Sequence, residues 1–501
     1  MSLIAALPAL TPPAGGDIVG VLPEVILASG FILLLLLDLF VPAQRRNWLA
    51  VFTVLAIAAT GAAVVWGWFD AASPRTVYFG SFAYDRFSLF IDGILLTSAL
   101  LVVLISPDYL NRRGIHYGEY YSLILAATTG MMLLAGASSL MVIFLAVELL
   151  SISLYILSGF ARTEPRSQEA GMKYLLLGGF ASGFLLYGMA LIYGETGHTQ
   201  LQQIFIAVKT TVILGGDPLL VVGAILLFVG FAFKISAAPF HMWTPDVYQG
   251  APTAVTMFMS VATKVAAFAA LIRVFSYTFP DLYVQWDRAV IIVAVLSMVV
   301  GNLVALSQTS VKRMLAYSGI AQAGYILIGV AVDPHDGTGT VAALYYLAAY
   351  ALTNLGAFAV ITIMAGKGED LDHYDNLKGL AYRRPYIAAA MGLFMLSLAG
   401  FPPTAGFFGK FLVFSAAMKN GQSALALWGI ATSAISVFYY LRVTLLMYSK
   451  TETDNYEWSP TSAAGAAVIA VTTLGTLAFG VFVSVLYSLA VSAQHGLIPG
   501  S

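Results

Sequence analysis

Fourteen apolar runs, each long enough to cross a bilayer, divide this chain almost end to end and confine it to one class of architecture. They lie near residues 20–41, 48–69, 87–106, 119–137, 139–161, 167–194, 217–238, 251–279, 286–307, 310–331, 339–366, 384–418, 422–448 and 461–492. In hydrocarbon every backbone N–H and C=O must find a partner within the protein, so runs of this length are read as helices. The expected fold class is an all-α polytopic membrane protein of about 14 transmembrane helices, surrounded by lipid. The N-terminal MSLIAALPALTPPAGGD carries no basic segment, so the first run is read as a retained span rather than a cleaved signal.

Basic residues in the connections set an orientation. Arg45, Arg46, Arg112, Arg113, Arg162, Arg166, Lys312, Arg313, Lys367, Lys378, Arg383, Arg384 and Lys450 all follow odd-numbered spans. Only Arg75, Arg86, Lys209, Arg288 and Lys419 lie on the other side. Positive charge is retained in the cytoplasm, so both termini are expected on the non-cytoplasmic face. The net charge of −1 without a basic patch gives no indication of a nucleic-acid partner, and none is expected. The absence of cysteine excludes disulfides, thiolate zinc sites and cysteine-ligated iron–sulfur clusters in this chain. Neither GxGxxG nor GxxxxGK[ST] occurs, so no nucleotide or flavin site is expected, and any redox chemistry belongs to another chain.

An ionisable side chain in mid-span costs at least about 2.5–3.5 kcal/mol on insertion scales, so each one needs an account. Glu148 sits near the middle of the fifth run, with Ser151 and Tyr155 on the same helical face. Lys234 stands one turn before Pro239, where the helix should break and leave carbonyls free to favour a cation. Lys264 lies midway along the eighth run, with Thr256 and Ser260 on its face, and Lys410 follows a second break at Pro402 and Pro403. These four are the candidate ion-handling residues. Lys173, nearer a helix end, is read either as an entry residue or as a snorkelling lysine. Ser318, Gln322 and Tyr325 form a polar face in the tenth run, and Tyr346, Tyr350 and Asn354 another in the eleventh. Either face suits a hydrogen-bond chain or ordinary interhelical contacts. His241, after the first break, is a proton exchanger or a structural hydrogen-bonding residue. Arg273, Asp38 and Asp92 lie near span ends, where snorkelling or local pairing is expected.

The breaks at Pro239 in the seventh run and at Pro402–Pro403 in the twelfth are five spans apart, as are the similar segments beginning at Ala170 and Ala342. An odd number of spans per copy inverts the second, the pattern of inverted-topology repeats with a site at discontinuous helices. The expected division is an N-terminal three-helix segment at 1–112, a first repeat at 113–283, a second at 284–450 and a C-terminal helix at 451–501. A contact between Glu148 and Lys234 near 4 Å is worth about 4 kcal/mol at an effective dielectric of about 20. Moving one proton against about 150 mV costs about 3.5 kcal/mol. Making and breaking that contact could therefore load and unload the lysine.

Six motifs carry a family resemblance: LPE at Leu22, VELLSISLY around Glu148, KYLLLGGFASGFLLYG from Lys173, FKISAAPFHMWTPDVYQGAPT from Phe233, VKRMLAYSGIAQAGY from Val311 and LAGFPPTAGFFGKF from Leu398. Together the chain resembles the antiporter-like membrane subunits of complex I, and among them the N-type. Lys410 stands where the M-type has glutamate, and the last span is not followed by the long lateral helix of the L-type. The resemblance implies that Glu148, Lys234, Lys264 and Lys410 match the family's proton-path residues. It implies a proton-translocating role in a respiratory-type NADH:quinone oxidoreductase. NADH, FMN, iron–sulfur clusters and quinone are then handled by partner subunits, peripheral and membrane, including neighbouring antiporter-like ones. The implied location is the bacterial plasma membrane. Gln322 replaces the family's frequent histidine in the tenth run; it cannot titrate, and it is similar to the photosynthetic complex I of thylakoids, which keeps that membrane as an alternative. The competing functions are a subunit of a multi-subunit cation/proton antiporter or membrane-bound hydrogenase, and a scaffold whose charges are merely paired.

Overall fold

Apolar stretches of this length satisfy their own backbone as helices, and the computed structural model places helices in every one of the expected runs. It describes residues 15–71, 74–213, 218–332, 336–366, 370–449 and 461–497, so Lys367, Lys450 and the N-terminal residues 1–14 lie outside the described residues. The helices are α1 (Leu22–Asp38), α2 (Asn47–Asp70), α3 (Arg86–Arg113), α4 (Glu119–Gly136), α5 (Leu140–Ser158), α6 (Pro165–Thr196), α7 (Leu201–Ile213), α8 (Pro218–Lys234) and α9 (Trp243–Gly250). There follow α10 (Thr253–Ile272), α11 (Tyr283–Leu306), α12 (Val311–Ala331), α13 (Thr338–Met364), α14 (Pro385–Ala399), α15 (Ala405–Lys419), α16 (Ser423–Met447), α17 (Ala463–Val481) and α18 (Val483–His495).

Ten of the described helices are long and apolar enough to span as single pieces. The other four expected runs differ for separate reasons. The first, α1, has only 17 residues, and α4 opens on the polar Glu119-Tyr-Tyr-Ser. The seventh run ends early at Lys234, with Pro239 parting α8 from the short α9 that follows the run, and the twelfth is split in two by proline, as α14 with α15. Three features were not foreseen. A hairpin, β1 (Arg75–Val77) with β2 (Phe82–Tyr84), joins α2 to α3. The helix α7 fills the connection before α8, and the last run divides at Phe482.

Burial orders the bundle. Every residue of α10 is buried, and almost all of α12 and α13 are, whereas on α2, α16 and α17 most residues are partly or fully exposed. A helix enclosed on all sides belongs to the core, and the exposed ones form the lipid-facing shell. Lys264 thus lies on the most enclosed helix of the protein. At its far end α10 runs into a π-helical turn, Arg273–Thr278. Arg273 there points inward and pairs with Asp85 at 2.9 Å, both side chains fully buried. Local pairing of Arg273 therefore holds and snorkelling does not. Asp92 does neither: it is 1% exposed and both carboxyl oxygens lack a hydrogen-bond partner.

A polar chain between two broken helices

At the first break, Pro239 has no N–H to give the carbonyl of Ile235, four residues earlier. That freed carbonyl accepts from Lys264 Nζ at 3.0 Å, and Gly319 O on α12 accepts from the same nitrogen at 3.1 Å. The carbonyls expected to favour Lys234 are therefore shared out differently: Lys264, reaching across from α10, takes Ile235 O, and the Trp243 indole donates to Phe233 O at 3.1 Å. The second break follows the same rule. Pro402 and Pro403 free the carbonyls of Leu398 and Ala399. Gln322 Nε2 donates to Leu398 O at 3.1 Å and Lys410 Nζ to Ala399 O at 3.0 Å. Gly400 turns the chain with φ +91°, which favours glycine. At Gly406 a Cβ would lie 2.1 Å from Ser397 O, so the two half-helices meet there without a side chain between them.

Lys234 is held differently. Its Nζ donates to Ser151 Oγ at 2.6 Å and sits over the rings of Tyr155, Phe233 and Tyr174 at 5.6, 5.8 and 6.0 Å. Tyr174 is in turn stacked on Trp243, with ring centroids 4.3 Å apart. Aromatic faces attract a desolvated cation, so the cage suits a lysine that is 3% exposed. The direct Glu148–Lys234 pair expected from sequence is not formed. Ser151 occupies the ammonium, because three residues further along α5 bring its hydroxyl onto the same face. The carboxylate stays close enough to act on Lys234 through space, and its Oε1 is buried without a partner.

Between Lys264 and Lys410 the polar faces of α12, α13 and α16 join. Gln322 Nε2 also donates to Tyr440 OH at 3.2 Å, Tyr440 pairs with Ser318 Oγ at 2.5 Å, and Tyr346 OH donates to Gln322 Oε1. Lys410 reaches Ser433 Oγ at 2.7 Å and lies over the Tyr325 ring at 4.9 Å. Beyond, Tyr325 OH donates to Thr432 at 3.4 Å and accepts from Asn302 at 3.0 Å. The structure thus brings Lys264, Ser318, Gln322, Tyr325 and Lys410 into one region, with Glu148, Lys234 and Tyr155 beside it at the first break. Tyr155 contributes its ring, while its hydroxyl has no partner. Lys173 is not among them: 38% exposed, it pairs with Glu169 and Asp246 at 2.7 Å each, and Arg313 binds the other Asp246 oxygen at 2.7 Å. This ionic cluster borders a cavity of about 200 Å³. His241 is half-buried, packs edge-on against Tyr317 at 6.4 Å, and its Nδ1 has no partner.

Sequence reading missed Tyr440 and Ser433. The signal was present: Thr432, Ser433, Ser436, Tyr439 and Tyr440 mark one helical face of an otherwise apolar run. It also missed Asp370, which lies after α13 outside the spans. Asp370 accepts from Thr253 Oγ1 at 2.7 Å, Tyr109 OH at 2.9 Å and Lys312 Nζ at 3.1 Å, so it clasps α3, α10 and α12. Burial opposes its charge, but Lys312, Arg113 and the bonds from Thr253 and Lys312 outweigh it and hold the carboxyl below the usual carboxylate range.

Residues 137–436 match the family described as NADH:quinone oxidoreductase/Mrp antiporter, TM. The NADH-quinone oxidoreductase subunit N of Trichlorobacter lovleyi is 47% identical over 94% of this chain and 96% of its own. Subunit N 1 of Herpetosiphon aurantiacus is 44% identical over 91% and 93%. Among solved structures, a chain of respiratory complex I from Thermus thermophilus with bound aureothin is 36% identical, with a TM-score of 0.79 over 93% of this chain and 98% of that one. A chain of the Mrp complex from Dietzia sp. DQ12-45-1b has a TM-score of 0.81 over 96% and 97% at 22% identity, a likeness of fold alone.

Proposed function

The chain belongs to the NADH:quinone oxidoreductase/Mrp antiporter family of membrane subunits, and from that premise we propose that Glu148, Lys234, Lys264 and Lys410 form one proton path, with Gln322 and its hydroxyl partners bridging Lys264 to Lys410. Its near relatives place the chain as the proton-translocating N subunit of an NADH:quinone oxidoreductase. The observation that carries the path is the sharing of proline-freed carbonyls: Lys264, Gln322 and Lys410 each hold one, at the two breaks that bound the polar chain.

The chemistry follows from what each group can hold. An ammonium has three donors and no acceptor, so Lys264 on two carbonyls and Lys410 on a carbonyl and a hydroxyl can each give up a proton and regain it without moving the backbone. Gln322 cannot titrate, but it orients Tyr440 and Tyr346, whose hydroxyls donate and accept. Ser151 keeps Lys234 in its cage in this conformation; a Glu148–Lys234 pair in another would supply the roughly 4 kcal/mol that charges the lysine. NADH, FMN, iron–sulfur clusters and quinone belong to partner subunits in this reading, and no step in this chain passes through them.

The path sits in two inverted repeats, 113–283 and 284–450, after a three-helix segment at 1–112 and before a C-terminal helix at 451–501. Both termini face away from the cytoplasm, and the membrane is the bacterial plasma membrane. A second function, cation/proton exchange, has less support, since identity to the Mrp chain is 22% against 47% for the first relative above. The test is the assembled complex with Lys234→Ala or Glu148→Ala, reconstituted in vesicles. Fewer protons per NADH are expected, with the subunit still in place; undiminished translocation rejects the path.

A further inference from the structure

Glu24 and Asp92 are buried acids that the path above does not use. Glu24 lies in the first turn of α1, 5% exposed, with Oε2 unpartnered; Asp92 lies on α3, 1% exposed, with both oxygens unpartnered. The segment just before α1 packs against the β1–β2 hairpin so closely that a Cβ on Gly20 would be 2.8 Å from Val77, and Asp92 lies on the helix into which that hairpin leads. The groups acting on Asp92 are Glu24, Asp85 and Arg273. Arg273 is engaged with Asp85 through two bonds, at 2.9 and 3.2 Å, and with Ala135 O. Of the elements packed on α3, α10 also brings Lys264, which Ile235 O and Gly319 O hold, and α18 ends on His495 next to Gly496, where a Cβ would be 3.0 Å from Arg86. Along their length α13 and α17 carry no carboxylate, amine, guanidine or imidazole, α4 has only Glu119 at its opposite end, and α2 and α18 have only Asp70 and His495 at their ends.

Three buried carboxyls, Glu24, Asp85 and Asp92, therefore share the one buried guanidinium of Arg273. A buried carboxylate without donors or a cation is costly, and two carboxyls at one site do not both ionise. The N-terminal turn of α1 favours the anion on Glu24, which leaves Asp92, with no donor at all, to carry the proton. We propose that Glu24 and Asp92 are a second proton-holding site, exchanging one proton with the aqueous face at the hairpin and linked to the Lys264 helix through Arg273. The link is physical. Arg273 directly follows α10, nine residues or about 13 Å of helix beyond Lys264, and α10 packs along α3. A shift of α10 that alters the Arg273–Asp85 pair changes the field at Asp92, and so its hold on the proton.

This inference rests on the translocation reading, so its test separates the two. In the assembled complex, infrared spectroscopy reads the carbonyl stretch of protonated carboxyls, and vesicles read protons per NADH. Asp92→Asn should remove one D₂O-sensitive acid band and lower the proton ratio by a fraction similar to Lys234→Ala; Glu24→Gln should shift that band. An unchanged band in both variants overturns the proposal, as does a lost band with an unchanged ratio while Lys234→Ala lowers it. An unchanged ratio in Lys234→Ala instead rejects the translocation reading, and the infrared arm still decides whether the pair holds a proton. If Asp92→Asn does not assemble, Asp92→Glu keeps the carboxyl: a moved band supports the site and an unmoved one rejects it.

Discussion

Gln322→Leu isolates what the middle of the path contributes. The side chain is 1% exposed and makes three hydrogen bonds, to Leu398 O, Tyr440 OH and Tyr346 OH. Leucine fills the volume but strands two of these partners. Leu398 O has no helical donor, because Pro402 stands four residues on, and Tyr346 OH loses its acceptor; Tyr440 keeps Ser318. A buried polar group left unpaired costs about 1–3 kcal/mol, so the summed loss is about 2–6 kcal/mol, with leucine's apolar burial favouring the lower end. Thermal denaturation of the purified complex should therefore show this subunit weakened by about 2 kcal/mol, and proton translocation per NADH should fall although no titratable group has been removed. Gln322→His offers a donor and an acceptor and should retain most of both. A leucine variant with wild-type stability and pumping would refute the claim that this amide bridges Lys264 to Lys410.

Ser151→Ala should cost about 1.5–3 kcal/mol by removing the hydrogen bond to the Lys234 ammonium, and should slow pumping while Ser151→Thr preserves it; both are read in membrane vesicles. Asp370→Asn should destabilise by about 3 kcal/mol at neutral pH, because Lys312 is left buried without its carboxylate. Since the folded state lowers the Asp370 pKa, its contribution is fully present above the unfolded value near 3.9 and fades as pH falls through the lower folded one. Melting temperatures of wild type and Asp370→Asn should accordingly converge only below about pH 4. Gly406→Ala places a methyl 2.1 Å from Ser397 O, so the second break must open. Reduced assembly of the complex, measured on native gels, is the expected result, and normal assembly would show that the half-helices do not need that approach.

Much of this was legible because hydrophobic length and proline act locally. Fourteen spans and two breaks follow from runs of apolar residues and from Pro239 and Pro402–Pro403, and the structure has helices and breaks in those places. The costly charges were equally visible, since Glu148, Lys234, Lys264 and Lys410 each interrupt an apolar run. Partner choice was not, because it depends on which helices become neighbours. Lys264 reaches a carbonyl 29 residues away in sequence and Gln322 one that is 76 away. Spacing along α5 put Glu148, Ser151 and Tyr155 on one face, but only packing decided that the hydroxyl, not the carboxylate, meets Lys234. Asp370 shows the same limit: nothing local distinguishes a loop aspartate that clasps three helices from one in solvent.

The central claim is that the lysines act in series within one path. The most direct measurement is protons translocated per NADH by the reconstituted complex carrying Lys264→Met, Lys410→Met, or both. Groups in series fail together, so each single variant should lose the same share and the double variant no more than either. Losses that add would mean two independent routes and would contradict the account.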